Sequence, residues 1–346
     1  MSAQTHQTRG WKIPVLVIMA IAVLTLWNAM ASSRQEEQQD LRPVRFNMAW
    51  LPQGSMAGIY VAIDKGYFAD AGMKVEPVRG FGGIRTVNEL DQGMFEFAYV
   101  DPLSVALNRA NGGKTKMVGG INMRFPAGAC FVKERHNINR PADLAGLRFG
   151  AGQSSAIQAL LPVWLSNNGV DPASVERIQL DPAIVVSSLI EGKIDVAECW
   201  LGNSMALFDK AAKAKGVTIG RIEYSAFGLD VYGSGLATRD TLIENDPELV
   251  RSFIEAAYRG YADAAADPQM ALATIRKHHP LLDESVTERQ IRETADLMAA
   301  EGGSLRLNPD KVARSVAYLQ DSGQLIGFDE TETLFSNAFV PLRKIP

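Results

Sequence analysis

Residues 44–72 read VRFNMAWLPQGSMAGIYVAIDKGYFADAG. The apolar run at 44–51 predicts a strand, and residues 59–71 carry a helical pattern that Gly72 closes. A strand that hands over to a helix through a short loop is the repeating unit of an α/β layer. Downstream the unit recurs: strand 74–78, helix 84–92 stopped by Gly93, strand 95–100, a helix from Asp101-Pro102 to residue 111, and strand 115–121. Asp at an N-cap with Pro in the first turn is a helix start signal, because Asp accepts from a free N–H and Pro lacks one. A second block opens near Pro141, with strands at 147–151, 175–180, 194–200 and 217–222. Its helices cover 154–168, 182–191 and 203–215. After a short strand at 236–238 the chain becomes helical over 247–266, 268–278, 285–300 and 309–321.

This order predicts a mostly parallel α/β protein of two lobes. Residues 44–132 open lobe one, 133–227 form lobe two, and 228–346 return to lobe one and add helices. Two crossings make a two-segment hinge, and a ligand would lie in the cleft at the carboxyl ends of the strands.

Composition narrows the function. The 346 residues are 47% apolar and 21% charged, which excludes a disordered, collagen-like or coiled-coil protein. A net charge of −4 gives no basic footprint for nucleic acid. Two cysteines exclude a disulfide scaffold; Cys130 and Cys199 could pair in the periplasm, but they fall in different segments, which disfavours a bond between them. Four histidines disfavour a multi-histidine metal site, and His278-His279 before Pro280 reads as surface.

The first residues read as an address. Arg9 and Lys12 precede an apolar run at 13–27 and then Ala29-Met30-Ala31, the layout of a secretory signal peptide cut after Ala31. An uncleaved membrane anchor is the alternative, although the run is short for a full span. No Cys follows it, which disfavours a lipoprotein. Polar residues 32–43 read as a spacer.

Five segments, in order, give a resemblance. Gly58, Tyr60, Ala62, Lys65, Gly66, Tyr67, Phe68 and Gly72 match the opening pattern of periplasmic solute-binding proteins of the nitrate, taurine, alkanesulfonate and thiamine-pyrimidine group. Residues 82–102, 143–152, 189–200 and 232–271 resemble later segments of the same group. The resemblance covers essentially all of 44–275. It implies the type II periplasmic-binding-protein fold, an ABC permease in the inner membrane as partner with an ATPase behind it, a periplasmic location and a monomer. Physically, Gly58 and Gly66 permit tight turns, and Lys65-Gly66-Tyr67-Phe68 reads as a helix end plus core aromatics.

Residues just past the strand ends are the cleft candidates. Trp50, Gln53, Ser55 and Met56 follow strand one, Gly82 and Gly83 follow strand two, and Tyr99 and Asp101 end strand three. Gln153, Ser154 and Ser155 open a helix, where N–H groups and hydroxyls suit an anion or a carbonyl. Glu198 and Trp200 end another strand, and Asp230 and Tyr232 sit at the return crossing. With Tyr60 these aromatics could sandwich a flat ring, and the carboxylates could accept from its amino groups. A pyrimidine or thiamine-precursor-like ring is therefore the expected solute. The competing class is nitrate, taurine or an alkanesulfonate, which would need donors such as Arg85, Arg124 or Arg148. A membrane-tethered sensor is a further alternative.

The thiamine-pyrimidine synthase branch shares the opening motif, and by resemblance its chemistry needs a Lys and a His after strand three and a Cys-rich later loop. Val100 and Ser104 stand at those two positions, Met56 stands where that branch has a His, and residues 227–235 hold no Cys. Val cannot form a Schiff base. No catalytic residue, cofactor or metal is expected.

Overall fold

The computed structural model describes residues 41–342 apart from 153, 154, 322, 324, 326, 327, 329 and 330. The signal segment, most of the expected spacer, Gln153 and Ser154 lie outside the described residues.

Two five-stranded sheets organise the chain. The first holds β1 (Arg42–Asn47), β2 (Met73–Val78), β3 (Phe97–Val100), β4 (Thr115–Gly120) and β10 (Gly235–Arg239), in the order β2-β1-β3-β10-β4. The second holds β5 (Ala127–Val132), β6 (Arg148–Gly152), β7 (Glu176–Leu180), β8 (Val196–Trp200) and β9 (Ile219–Glu223), in the order β7-β6-β8-β5-β9. The two orders are one pattern used twice. β1 runs parallel to β3, and β6 parallel to β8. β10 runs antiparallel to β3 and β4, as β5 does to β8 and β9.

Three expectations are corrected here. Each sheet is mixed rather than mostly parallel, because in each the strand that follows a crossing enters antiparallel to its neighbours. The first crossing lies at 121–126 rather than after 132, since β5 already belongs to the second sheet. All six residues of β5 (AGACFV) are buried, so a central strand covered on both faces shows no alternation to read. The spacer ends earlier than expected, because Arg42 and Pro43 already belong to β1.

The cysteines are also corrected. Cys130 and Cys199 form a disulfide with Cα atoms 5.8 Å apart. They are distant in sequence but sit on adjacent strands, where Cys130 pairs with Ala197 and Gly128 with Cys199.

Helices cover both sheets. Gly66 adopts a left-handed conformation at φ 77°, so the expected single helix becomes α1 (Ala57–Asp64) and α2 (Tyr67–Asp70). Gly58 is not a turn residue: it lies inside α1, where a Cβ would fall 2.4 Å from the Tyr261 ring. α3 (Gly83–Asp91) and α4 (Pro102–Ala110) follow in lobe one, then α5 (Ala156–Asn167), α6 (Val185–Ile190) and α7 (Ser204–Ala214) in lobe two. The return adds α8 (Asp240–Asn245), α9 (Pro247–Ala266), α10 (Pro268–His278), α11 (Glu284–Ala299) and α12 (Pro309–Asp321). Phe253 of α9 anchors lobe one, stacked on Phe97 at 3.8 Å and on Phe68 at 5.1 Å between ring centroids. Among the described residues no helix is long and apolar enough to cross a membrane.

The two crossings are tied to each other. Ile121 and Asn122 both donate their N–H to Ser234 O, at 3.1 and 2.8 Å, and Gly233 N–H donates to Asn122 O at 2.9 Å. The buried Lys311 of α12 grips both crossings, donating to Met123 O at 3.0 Å and lying 4.5 Å from the Tyr232 ring centre. Glu301 accepts from the same ammonium at 2.8 Å, so the buried charge is paired.

Candidate functional site

A cavity of about 430 Å³ opens where the carboxyl ends of β1, β3, β6 and β8 meet. That position follows from topology, because helices cover the sheet faces and leave the strand ends as the open crevice. Trp50, Tyr99 and Asp101 line it from lobe one, and Ser155, Glu198 and Trp200 from lobe two.

Glu198 is the chemical centre. It is 8% exposed, and burial pushes its carboxyl up to about 7. Oε1 accepts from Ser155 Oγ at 2.8 Å and from the Trp200 indole N–H. Oε2 is buried with no partner among the described residues. A buried carboxylate oxygen left unpaired is costly, and a hydrogen-bond donor in the cavity would relieve that cost when the group is ionised.

Asp101 is held differently. It caps α4, accepting from Ser104 N–H and from Ser104 Oγ, both at 2.8 Å. Burial raises its carboxyl as well, and these bonds oppose that rise. Gly83 makes room for this arrangement: a Cβ there would fall 2.5 Å from Asp101 Oδ2. Tyr99 ties the cavity to the hinge by accepting from Asn122 Nδ2 at 3.0 Å. Trp50 reaches across the cleft, close enough that a Cβ on Gly152 would fall 2.9 Å from its ring.

The structure sorts the candidates. Trp50, Gln53, Gly82, Gly83, Tyr99, Asp101, Ser155, Glu198 and Trp200 line the cavity. Five others do not. Met56 is core, and Ser55 is buried and accepts from Gln53 Nε2 at 3.0 Å. Tyr60 is buried in α1 with its hydroxyl 2.6 Å from His279 Nε2. Tyr232 packs at the hinge, donating to Glu301 at 3.1 Å. Asp230 is exposed and bonds Arg314 at 3.3 Å. For Ser55, Met56, Asp230 and Tyr232 the reason is that a strand end marks where the chain leaves the sheet, not which way the next side chains turn; Tyr60 lies inside α1 and turns into the core.

The sequence reading missed the return helices. Asp283, Val286, Thr287 and Gln290, at the start of α11, form one wall of the cavity. No local signal marks them, since an amphipathic helix shows that it packs but not against what.

A family model described as NMT1/THI5 like matches residues 53–271, well over half of the chain. The chain belongs to that family. The riboflavin-binding protein RibY of Chloroflexus aurantiacus is 26% identical over 90% of this chain and 90% of its own length. The formylaminopyrimidine-binding protein of Halalkalibacterium halodurans is 22% identical over 78% of this chain and 82% of its own. A solved ligand-binding component of an ABC-type import system from Staphylococcus aureus superimposes with a TM-score of 0.66 at 14% identity, over 86% of this chain and 97% of that one. The fold is therefore that of the periplasmic binding proteins.

In this NMT1/THI5-like chain the two lobes are latched across the cleft by α11. Arg289 donates to Asp209 of α7 at 2.6 Å and to Glu293 at 2.7 Å. Glu293 in turn accepts from Gly202 N–H at 2.7 Å. Gln290 accepts from Gly54 N–H at 2.8 Å and donates to Asn203 O at 2.7 Å, bridging the lobes directly. Lys210 pairs with Asp283, which holds that carboxyl well below the usual range. These contacts join residues of the two lobes. Arg289→Ala is expected to shift the closed-to-open ratio about threefold to tenfold towards open, the scale of one partly exposed ion-pair network. Small-angle scattering of the ligand-free protein should read this as a larger radius of gyration. An unchanged radius would show that the network does not hold the lobes.

Proposed function

We propose that this chain is the solute-binding component of an ABC importer, and that its solute is a flat nitrogen-containing ring of the pyrimidine class that donates hydrogen bonds. The observation that carries the ring reading is Glu198 Oε2, buried at the cavity and without a partner among the described residues. A ring N–H or amino group would complete it, with the Trp50 and Trp200 indoles beside the ring faces.

The charge of the wall supports the same choice. Asp101, Glu198 and Asp283 line the cavity, and among the described residues no Lys, Arg or His does. A nitrate or sulfonate group would meet carboxylates and no cation. The arginines expected as donors are engaged elsewhere: Arg85 with Glu89 at 2.7 Å, Arg148 with Asp195 at 2.8 Å, and Arg124 3.9 Å from Glu223. The riboflavin-binding relative favours a second reading, in which the ring is that of a flavin, whose imide N–H is a donor of the same type.

A receptor role rather than catalysis is supported by the names of the relatives, both binding proteins. Val100 stands where the synthase branch would need a Lys, and Ser104 Oγ is engaged with Asp101. A permease partner follows from the import reading, and the closed, solute-loaded form is what it would receive. Export to the periplasm is supported by the disulfide, since such bonds persist in oxidising compartments.

Thermal shift with 4-amino-2-methylpyrimidine, riboflavin, taurine and nitrate tests this. A solute at a hundredfold excess over its Kd adds about 2.7 kcal/mol of stability. The reading expects a shift with one or both ring compounds and none with the anions. A shift with taurine or nitrate alone would overturn it.

A further inference from the structure

The cavity wall has a buried polar end and an open end that is richer in apolar side chains, with the Asp283–Lys210 pair at its edge. Tyr99, Asp101 and Glu198 are each 9% exposed or less and form the closed end. At the open end stand Leu281, 99% exposed, and Leu207, 40% exposed, with Val186 and Leu282 half-buried behind them. Scattered exposed leucines need no explanation. These four come from both lobes, Leu281 and Leu282 from the segment before α11 and Val186 and Leu207 from α6 and α7, and they face one void. That void also touches Glu198, so the apolar mouth is continuous with the polar end.

We propose that the solute is amphipathic: a donor-bearing ring head at Glu198, and an apolar substituent or fused ring that runs out between Val186 and Leu282 to the mouth at Leu207 and Leu281. This rests on the ring reading above. A single six-membered ring would fill only part of a cavity of about 430 Å³ and would leave the apolar side chains at its mouth in water. An apolar arm fills it and removes the exposed leucines from water at the moment of binding. The occupant is the solute itself rather than a second protein, because the apolar strip is one wall of the cavity that holds the head.

The test compares 4-amino-2-methylpyrimidine with the best of its benzyl derivatives at ring positions 5 and 6, by calorimetry on the full chain. The arm is expected to tighten binding about tenfold or more, given the apolar area it would bury. In the double variant Leu207→Ser, Leu281→Ser that ratio should fall towards one. Equal affinities of the bare and benzylated rings would overturn the proposal and leave the ring reading standing. A ratio unchanged in the double variant would also overturn it, because the arm would then lie elsewhere. Binding of neither pyrimidine nor of riboflavin would overturn both readings.

Discussion

At pH 8, where Glu198 is ionised, Glu198→Gln should weaken binding of 4-amino-2-methylpyrimidine by about tenfold to a hundredfold, the cost of a lost charge-assisted bond and a mismatched donor. The direction follows from hydrogen-bond inventory. Trp200 Nε1–H is a donor with no acceptor capacity, and it points at Oε1 of Glu198. A glutamine must therefore present its carbonyl oxygen to Trp200, which places its NH₂ where Oε2 stood. A solute that donates then meets a donor. A solute that accepts would bind the variant equally well or better, and that result would overturn the donor reading.

The same variant carries a pH signature in the ligand-free protein. Glu198 titrates near 7 in the folded chain against an ordinary value of 4.5. A folded value above the unfolded one means that the folded state holds its proton longer. Stability from this group is then fully present below about 4.5 and is lost as pH rises through about 7. The glutamine variant has no such loss. It should match the parent at pH 4.5 and exceed it at pH 8, by an amount of order 3 kcal/mol. Asp101 is shifted in the same direction and its charge also raises Glu198, so the difference between the two melting curves reports Glu198 together with its coupling to Asp101. Parallel curves across that range would show that Glu198 ionises freely.

How far the sequence could be read depends on the range of the interaction. The cap at Asp101-Pro102 is local chemistry, and it forms as the residues predict, with Ser104 N–H bonded to the Asp101 side chain. The starts of α9 and α10 at Asp246-Pro247 and Asp267-Pro268 are local in the same sense. Glu198 and Trp200 could be placed because a short strand projects its last side chains into the crevice. Tyr60 and Tyr232 could not, because each is an aromatic whose partner, His279 or Glu301, arrives far later in the chain. The α11 wall was illegible for the same reason. Gln290 matters through Gly54 and Asn203, and neither spacing leaves a mark on its neighbours. β5 was hidden by burial on both faces, and with it went the cue that its cysteine lies beside Cys199.

Removing that bond should have the largest effect on stability. The disulfide closes a sequence separation of 69 residues. Loop-closure entropy for a loop of this size corresponds to about 4 kcal/mol, and native strain or residual structure in the unfolded chain reduces the amount realised. Cys130→Ala with Cys199→Ala is expected to cost about 2–4 kcal/mol and to lower Tm by roughly 3–6 °C. Alanine is the right replacement, since both sites are fully buried among apolar residues and a serine hydroxyl would add its own desolvation cost. The effect should reach the cavity as well. Cys199 lies between Glu198 and Trp200 on β8, and alternation turns it to the opposite face, against Phe208 and Met205 of α7. The crosslink thus anchors from behind the strand that presents the carboxylate. Hydrogen exchange of the β8 amides should quicken in the double variant while that of β1 and β3 stays as it was. Two free thiols per parent chain in non-reducing denaturant, or exchange in the double variant that rises equally in both sheets, would show that the strand is fixed by packing alone.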